Sequence, residues 1–193
     1  MFHSHKNFVR LAQANQLAYA FVPKETLPIG TRIIAPLDKF KYIVDDTNHV
    51  GYLPGIIAEI PTFYNKKRYL IFFDNGYPEY VNVNLVKLVC QSSKNVWDEI
   101  EGNSRAFIKD YLTHLDNNRP MVQMKVGMRI VVEWKCQWVH ARVINIDASL
   151  VQIAYDNSTR IEWIYRGSKR LKILYHAKQQ SAYTKTGTQL QKV

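Results

Sequence analysis

Tyr69-Leu70-Ile71-Phe72-Phe73-Asp74-Asn75-Gly76 recurs further along the chain, altered but recognisable, as Val151-Gln152-Ile153-Ala154-Tyr155-Asp156-Asn157-Ser158. Each is an apolar run closed by Asp-Asn and a small residue. Asp74-Asn75-Gly76 is a strong hairpin signal, because Asn and Gly tolerate the positive φ of tight turns. Upstream, Gly30-Thr31-Arg32-Ile33-Ile34 matches Gly127-Met128-Arg129-Ile130-Val131, and between the matches lie Gly55-Ile56-Ile57-Ala58 and Ala141-Arg142-Val143-Ile144. Matching elements in one order imply a duplicated small domain, each copy about 50 to 65 residues, near the lower limit for an independent core.

Within each copy, β-branched and aromatic runs separated by Gly, Pro, Asn and Asp predict short antiparallel strands. In the first they fall at Thr31 to Leu37, Gly51 to Ile60, Arg68 to Phe73, Glu79 to Val83 and Lys87 to Cys90. In the second they fall at Met128 to Trp134, Trp138 to Ile146, Val151 to Tyr155, Arg160 to Ile164 and Lys169 to Leu171. The fold class is mainly β, with two small, strongly bent, five-stranded barrels. Between them Trp97 and Ile100, then Phe107, Ile108, Tyr111, Leu112 and Leu115, recur at helical spacing. Asn103 or Ser104 is suited to cap the longer helix, Gly102 to separate it from a shorter one, and Asp98 and Glu99 to the shorter one's first turn. The apolar stripe is expected to pack on one or both barrels and fix their orientation.

The chain has 193 residues, 47% of them hydrophobic, ordinary for a globular protein. No run of about 18 apolar residues supports a membrane span, so no membrane partner is expected. The net charge of +10 suggests nucleic acid until it is divided: Glu25 to Glu162 carries sixteen basic and sixteen acidic residues. The excess sits in three basic residues before that span and seven after it. Beyond Tyr175 the composition turns to Gln, Ser, Thr and Lys, which predicts a flexible basic tail over 176–193. Cys90 and Cys136 stand outside any zinc-ligand spacing and read as reduced, structural thiols.

No nucleophile elbow, phosphate loop, zinc-protease motif or glycine-rich nucleotide loop occurs. The six histidines do not cluster at metal-ligand spacing beyond His3 and His5. Catalytic residues, metal and cofactors are therefore all expected to be none. What the sequence offers instead is aromatic residues at strand ends beside carboxylates and amides: Phe72, Phe73, Asp74, Asn75 and Tyr77, then Trp134, Trp138, Tyr155 and Asp156. Ring faces attract a methylated ammonium without hydrogen bonds, each contact contributing roughly 0.5–2 kcal/mol, and a nearby carboxylate adds charge attraction. The competing reading is that rings in a small barrel form its core. Phe72 and Phe73 are adjacent in a strand and point to opposite faces, so simple geometry allows at most one of them in the core.

Four segments carry a resemblance: Ile71-Phe72-Phe73-Asp74-Asn75-Gly76-Tyr77, Val96-Trp97-Asp98-Glu99-Ile100-Glu101, Asn118-Arg119-Pro120-Met121-Val122 and Glu162-Trp163-Ile164-Tyr165-Arg166-Gly167-Ser168. Over roughly residues 16 to 175 the chain resembles the Tudor region of the SET-domain bifurcated histone lysine methyltransferases, eggless in flies, at its second and third Tudor domains. Leu17-Ala18-Tyr19-Ala20 resembles the end of the first. The resemblance implies two tandem Tudor-type (SH3-like) barrels joined by a short helical segment. The divisions are 1–26 for the end of a preceding Tudor domain or linker, 27–92 and 119–175 for the barrels, 93–118 for the helical connector, and 176–193 for the tail.

It further implies a non-catalytic, nuclear, chromatin-bound reader of the histone H3 tail with methylated and acetylated lysine, held in a groove between the barrels. The whole enzyme, using S-adenosylmethionine, would act in heterochromatin and gene silencing, and this chain would be a fragment of it. Carried over by position, Phe73 matches a pocket aromatic, Phe107 and Tyr111 match helix residues lining the groove, and Trp134 stands at the first-strand cage position. Phe107 and Tyr111 read equally well as glue between helix and barrel. The first barrel departs from the cage pattern at Leu37 and Leu53, where Phe40, Tyr42 or Tyr52 could substitute. The alternatives are a nucleic-acid-binding module, in which the basic ends make weak contacts, and a protein-interaction scaffold whose pockets are filled by its own side chains.

Overall fold

A computed structural model describes residues 14, 17–37, 51–114 and 120–177. The substitutes Phe40 and Tyr42, the helix position Leu115, Asn118 and Arg119, and the tail beyond 177 lie outside the described residues.

The first copy forms β1 (Arg32–Pro36), β2 (Tyr52–Glu59), β3 (Arg68–Phe73), β4 (Pro78–Asn82) and β5 (Lys87–Leu88), an antiparallel sheet in the order β4-β3-β2-β1-β5. The second forms β6 (Arg129–Trp134), β7 (Gln137–Asp147), β8 (Leu150–Tyr155) and β9 (Ile161–Tyr165), in sequential order. A fifth strand at Lys169 to Leu171 is reduced to one bridge, Val132 to Leu171. The backbone there makes two successive turns, Ser168 N to Tyr165 O at 2.9 Å and Leu171 N to Ser168 O at 3.1 Å, and is helical from residue 172. The residues around Ala18 run antiparallel to the edge strand β5, with Tyr19 N donating to Leu88 O and Cys90 N to Leu17 O. An otherwise open sheet edge is thereby covered.

The duplication holds down to single hydrogen bonds. Gly30 N donates to Ile57 O and Gly127 N to Val143 O, both at 2.8 Å, and Ile57 N and Val143 N reach back to Thr31 O and Met128 O. Both glycines sit at positive φ, +86° and +87°, where a side chain would be strained. The register slips once in each sheet, between Ile57 and Glu59 and between Val143 and Asn145, and such bulges bend a small sheet. Asp74 N to Pro54 O matches Asp156 N to His140 O. By this registry Leu37 corresponds to Trp134, Phe73 to Tyr155 and Tyr52 to Trp138.

Between the sheets, Val96–Glu99 forms a 3-10 turn and Gly102–Thr113 the helix α1. Gly102 is the first residue of α1 instead of a break between two helices. Glu101, not Asn103 or Ser104, stands at the cap, with no side-chain capping bond. Asp98 and Glu99 do fall in the 3-10 turn, and both are taken up by arginines, Asp98 by Arg105 at 2.7 Å and Glu99 by Arg32 at 3.3 Å.

Three apolar clusters result. Alternation along β3 sends Tyr69, Ile71 and Phe73 into the core of the first sheet, while Leu70 and Phe72 point the other way. Those outward residues are also buried, because α1 and the outer face of β9 cover them. Ile100, Ile108 and Tyr111 from the connector join Leu150 and Tyr165 from the second sheet in this central cluster. Both Phe72 and Phe73 are therefore core, which corrects the expectation that at most one would be. Polar contacts secure the same seam. Arg68 pairs with Asp147 at 2.6 Å, the Tyr80 hydroxyl accepts from Ser149 N at 3.1 Å, and Lys169 pairs with Asp110 at 3.1 Å. Cys90 and Cys136 are exposed free thiols, not structural core residues.

Candidate functional site

The inter-sheet seam is an aromatic stack. Phe72 lies 5.1 Å from Phe107, 4.8 Å from Tyr111 and 5.3 Å from Tyr165, ring centre to ring centre. The Tyr111 hydroxyl is buried and donates to Ala58 O at 2.7 Å, so both its ring and its polar end are committed to the fold. Phe107, half-buried on the same helix, leaves part of its ring at the surface of the seam.

The second sheet carries a more open arrangement. The ring of Trp134, at the end of β6, is 5.5 Å from that of Tyr155, at the end of β8, tilted by 42°. Two cations approach the indole: Lys135 Nζ at 5.0 Å from the ring centre and the Arg160 guanidinium at 5.8 Å. Buried Glu162 anchors this group from the core side. It accepts from the Tyr155 hydroxyl, from Arg170 Nη2 at 2.5 Å and from Arg160 Nη2 at 3.0 Å. Arg170 also reaches Glu133 O through Nε and Nη2 at 3.1 and 3.0 Å. Burial alone would push the Glu162 carboxyl up. The Arg170 charge and hydrogen bonds from Tyr155, Arg170 and Arg160 outweigh it, so the carboxyl titrates below its ordinary range. Burial, and then the bond to Glu162, push the Tyr155 hydroxyl the other way and keep it neutral.

Arg160 also hydrogen-bonds Tyr77, which links the first sheet to this arrangement. Trp163, on the outer face of β9, packs against the first core, and its Nε1 is buried without a hydrogen-bond partner among the described residues. Arg160 Nε shares that condition. Arg160 shares the inward side of β9 with Glu162, whereas Trp163 lies on the outer face that meets the first sheet.

The nine residues singled out from sequence fall into distinct places. Trp134, Tyr155 and, through Arg160, Tyr77 are brought together. Asp156 follows Tyr155, is exposed, and has no ion-pair partner among the described residues. Phe107 and Tyr111 lie together in the seam. Phe73 is completely buried and presents no ring face to a ligand, because β3 alternation turns it into the first core. Asp74 is held by buried Arg32 in a two-pronged ion pair. Trp138 pairs with Glu133 in the β6–β7 ladder, on the opposite face from Trp134, and packs on Tyr175 at 5.2 Å. It is not brought to Trp134.

Arg160, Glu162, Arg170, Lys135 and Trp163 escaped the sequence reading. One signal was available: Glu162 occupies an inward position of β9 beside Ile164, and a carboxylate placed inward in a strand needs partners. Among the described residues no group of three or more His, Cys, Asp or Glu could hold a metal ion, and no helix is long and apolar enough to cross a membrane.

Residues 27–85 match the family described as Histone methyltransferase Tudor domain 1, and residues 124–172 the family described as Histone methyltransferase Tudor domain. The chain is 40% identical over 186 residues to Histone-lysine N-methyltransferase eggless of Drosophila pseudoobscura pseudoobscura, covering 93% of this chain and 14% of that protein. It is 39% identical over 190 residues to the eggless protein of Drosophila melanogaster, covering 94% and 15%. It thus spans about one seventh of the length of these curated relatives. A crystal structure of the four MBT repeats of Drosophila melanogaster Sfmbt with a methyl-lysine peptide covers 75% of this chain and 36% of its own, at a TM-score of 0.25 and 12% identity, too slight a likeness to bear on fold or ligand. With each sheet matched to a histone-methyltransferase Tudor domain and most of its length aligned with eggless, the chain belongs to the Tudor region of the SET-domain bifurcated histone lysine methyltransferase family.

Proposed function

We propose that this chain is a non-catalytic reader of the histone H3 tail, taking methylated lysine on the second Tudor sheet and acetylated lysine in the groove between the sheets. The carrying observation is the Trp134–Tyr155 pair, whose indole already draws two cations to within 6 Å. An unneutralised carboxylate, Asp156, directly follows Tyr155 in the chain. A methylated ammonium is held by ring faces and a nearby negative charge, and Lys135 and Arg160 over the same ring support that reading. An acetylated lysine is neutral and offers a carbonyl oxygen. The unpaired donor Trp163 Nε1 and the half-buried Phe107 ring, packed on the same central cluster, support placing it there.

In this reading the chain positions a methyltransferase on nuclear chromatin that already carries modified lysines, in silenced regions, and transfers no methyl group itself. Methyl transfer to H3 from S-adenosylmethionine by the isolated chain would contradict that part. The reading is tested by titrating the chain with H3-tail peptides, unmodified, methylated, acetylated and doubly modified, at two salt concentrations. The doubly modified peptide should bind best, and its preference should persist at high salt. A uniform response that decays with salt would favour binding of nucleic acid or another polyanion through the basic ends.

A further inference from the structure

The loop joining β2 to β3, Pro61 to Lys67, displays two rings that the peptide site does not use. Phe63 and Tyr64 are each 87% exposed, with ring centres 6.1 Å apart and planes at 78°. Rings left this open on a loop with no internal fastening would carry no meaning. This loop is fastened. Asn65, 2% exposed, donates through Nδ2 to Ile60 O at 2.8 Å and accepts from Thr62 N at 2.7 Å. Lys67 N closes the loop on Thr62 O at 2.8 Å. Lys66 and Lys67 both adopt φ of 55°, unusual for residues with side chains, so the bonds around Asn65 hold a shape the backbone would not choose by itself.

The charge beside the rings is of one sign. Lys66 and Lys67 are exposed and have no ion-pair partner among the described residues, and no acidic residue occurs from Ile60 to Tyr69. The nearest acid in sequence, Glu59, accepts from the Tyr80 hydroxyl at 2.7 Å. The loop lies at the far end of β3 from the Asp74–Gly76 turn, about 20 Å away for a six-residue strand.

We infer that the Phe63–Tyr64–Lys66–Lys67 loop is a contact site for single-stranded nucleic acid. Exposed ring faces stack on unpaired bases whatever their identity, and lysines beside them take the phosphates. A basic histone tail would be repelled here. Duplex DNA keeps its bases stacked and out of reach of the two rings. The site is independent of the reader function proposed above, and of the basic ends of the chain.

The probe is a fluorescein-labelled 12-nucleotide oligo-dT or oligo-U, compared with a duplex of equal length, titrated into the full chain. The double change Phe63→Ala/Tyr64→Ala should weaken single-strand binding by about tenfold or more while leaving duplex binding unchanged. Lys66→Gln/Lys67→Gln should lower the slope of log K against log salt by about 1.4, the equivalent of two single-strand phosphates. Because all four side chains are exposed, melting temperature and H3-peptide affinity should stay at wild-type values and serve as the control for folding. Single-strand affinity unaltered by the ring changes would overturn the inference and assign any binding to the basic ends. Ring-dependent binding to anionic vesicles, with oligonucleotide binding unaffected, would overturn it in favour of a lipid surface.

Discussion

Trp134 lies 5.5 Å from Tyr155 and stays half-buried at the end of the second sheet, whereas its counterpart on the first, Leu37, is shut into a core at 4% exposure; Tyr155 and its counterpart Phe73 are both buried, at 5% and 0%. One duplicated frame has therefore been put to two uses. In the first copy the strand ends are filled with apolar packing, and the aspartate of the turn is spent on Arg32. In the second Trp134 stays half-buried beside the buried Tyr155, the aspartate has no ion-pair partner among the described residues, and the Glu162 carboxylate network fixes the tyrosine.

Lys135 follows from this directly. Its ammonium occupies space over the indole that a methylated lysine would need. Lys135→Ala should tighten binding of a methylated H3 peptide about two- to fivefold, the equivalent of one exposed cation–π contact, with no change for the unmodified peptide. Equal or weaker affinity in a calorimetric titration would show that Lys135 does not compete for the ring.

Glu162 governs stability at low pH. Its carboxyl titrates below the unfolded value, so between the two pKa values the unfolded chain binds a proton that the native chain does not. Its contribution is present above the unfolded pKa of about 4.3 and is lost as pH falls through the lowered folded value. Glu162→Gln should cost about 2–3 kcal/mol at neutral pH, discounted for the partial exposure of both arginines. The gap between variant and wild type in urea melts should narrow in acid. A gap independent of pH would mean that packing, not charge, holds Tyr155.

The aromatic seam couples the two sheets. Phe72→Ala removes a ring touching Phe107, Tyr111 and Tyr165 and should cost about 3–5 kcal/mol. Tyr111→Phe, which leaves Ala58 O unpaired, should cost about 1–2 kcal/mol. Wild type should unfold in a single transition, and Phe72→Ala should separate the sheets before either loses its own core. Two transitions in the wild-type chain would count against a shared core.

Gly55 and Ala141 occupy matched positions opposite Ile33 and Ile130. A Cβ at Gly55 would lie 2.8 Å from Phe72 O and 2.9 Å from Ile71 Cγ2. Gly55→Ala should therefore destabilise by about 1–3 kcal/mol, measurable by thermal melting. A neutral result would show that β2 and β3 separate more readily than their register suggests.

The duplicated pattern and nearly every strand were legible because period-2 runs bounded by turn residues are local signals, and one period-3.6 stripe marked α1. Closure of the sheets into five-stranded barrels was expected, whereas the strands pair as two open antiparallel sheets of five and four. What each ring faces was not. Phe72 and Phe73 differ by one position, and alternation assigns them opposite faces, but only the docking of β9 and α1 shows that both faces are interior. Trp134 and Trp138 likewise look like neighbours in sequence and stand on opposite faces of one hairpin. The Glu162 network joins strand β9 to Arg170 beyond it and Tyr155 before it, a convergence made by the turns on either side of β9 that strand periodicity does not reveal.

The central claim, that Trp134 carries methyl-lysine recognition, is tested most directly by calorimetric titration of methylated and unmodified H3 peptides into wild type, Trp134→Ala and Trp138→Ala. We predict that Trp134→Ala abolishes the preference for the methylated peptide while Trp138→Ala keeps it, both variants melting as folded proteins. Preference retained in Trp134→Ala, or lost in Trp138→Ala alone, would contradict the account.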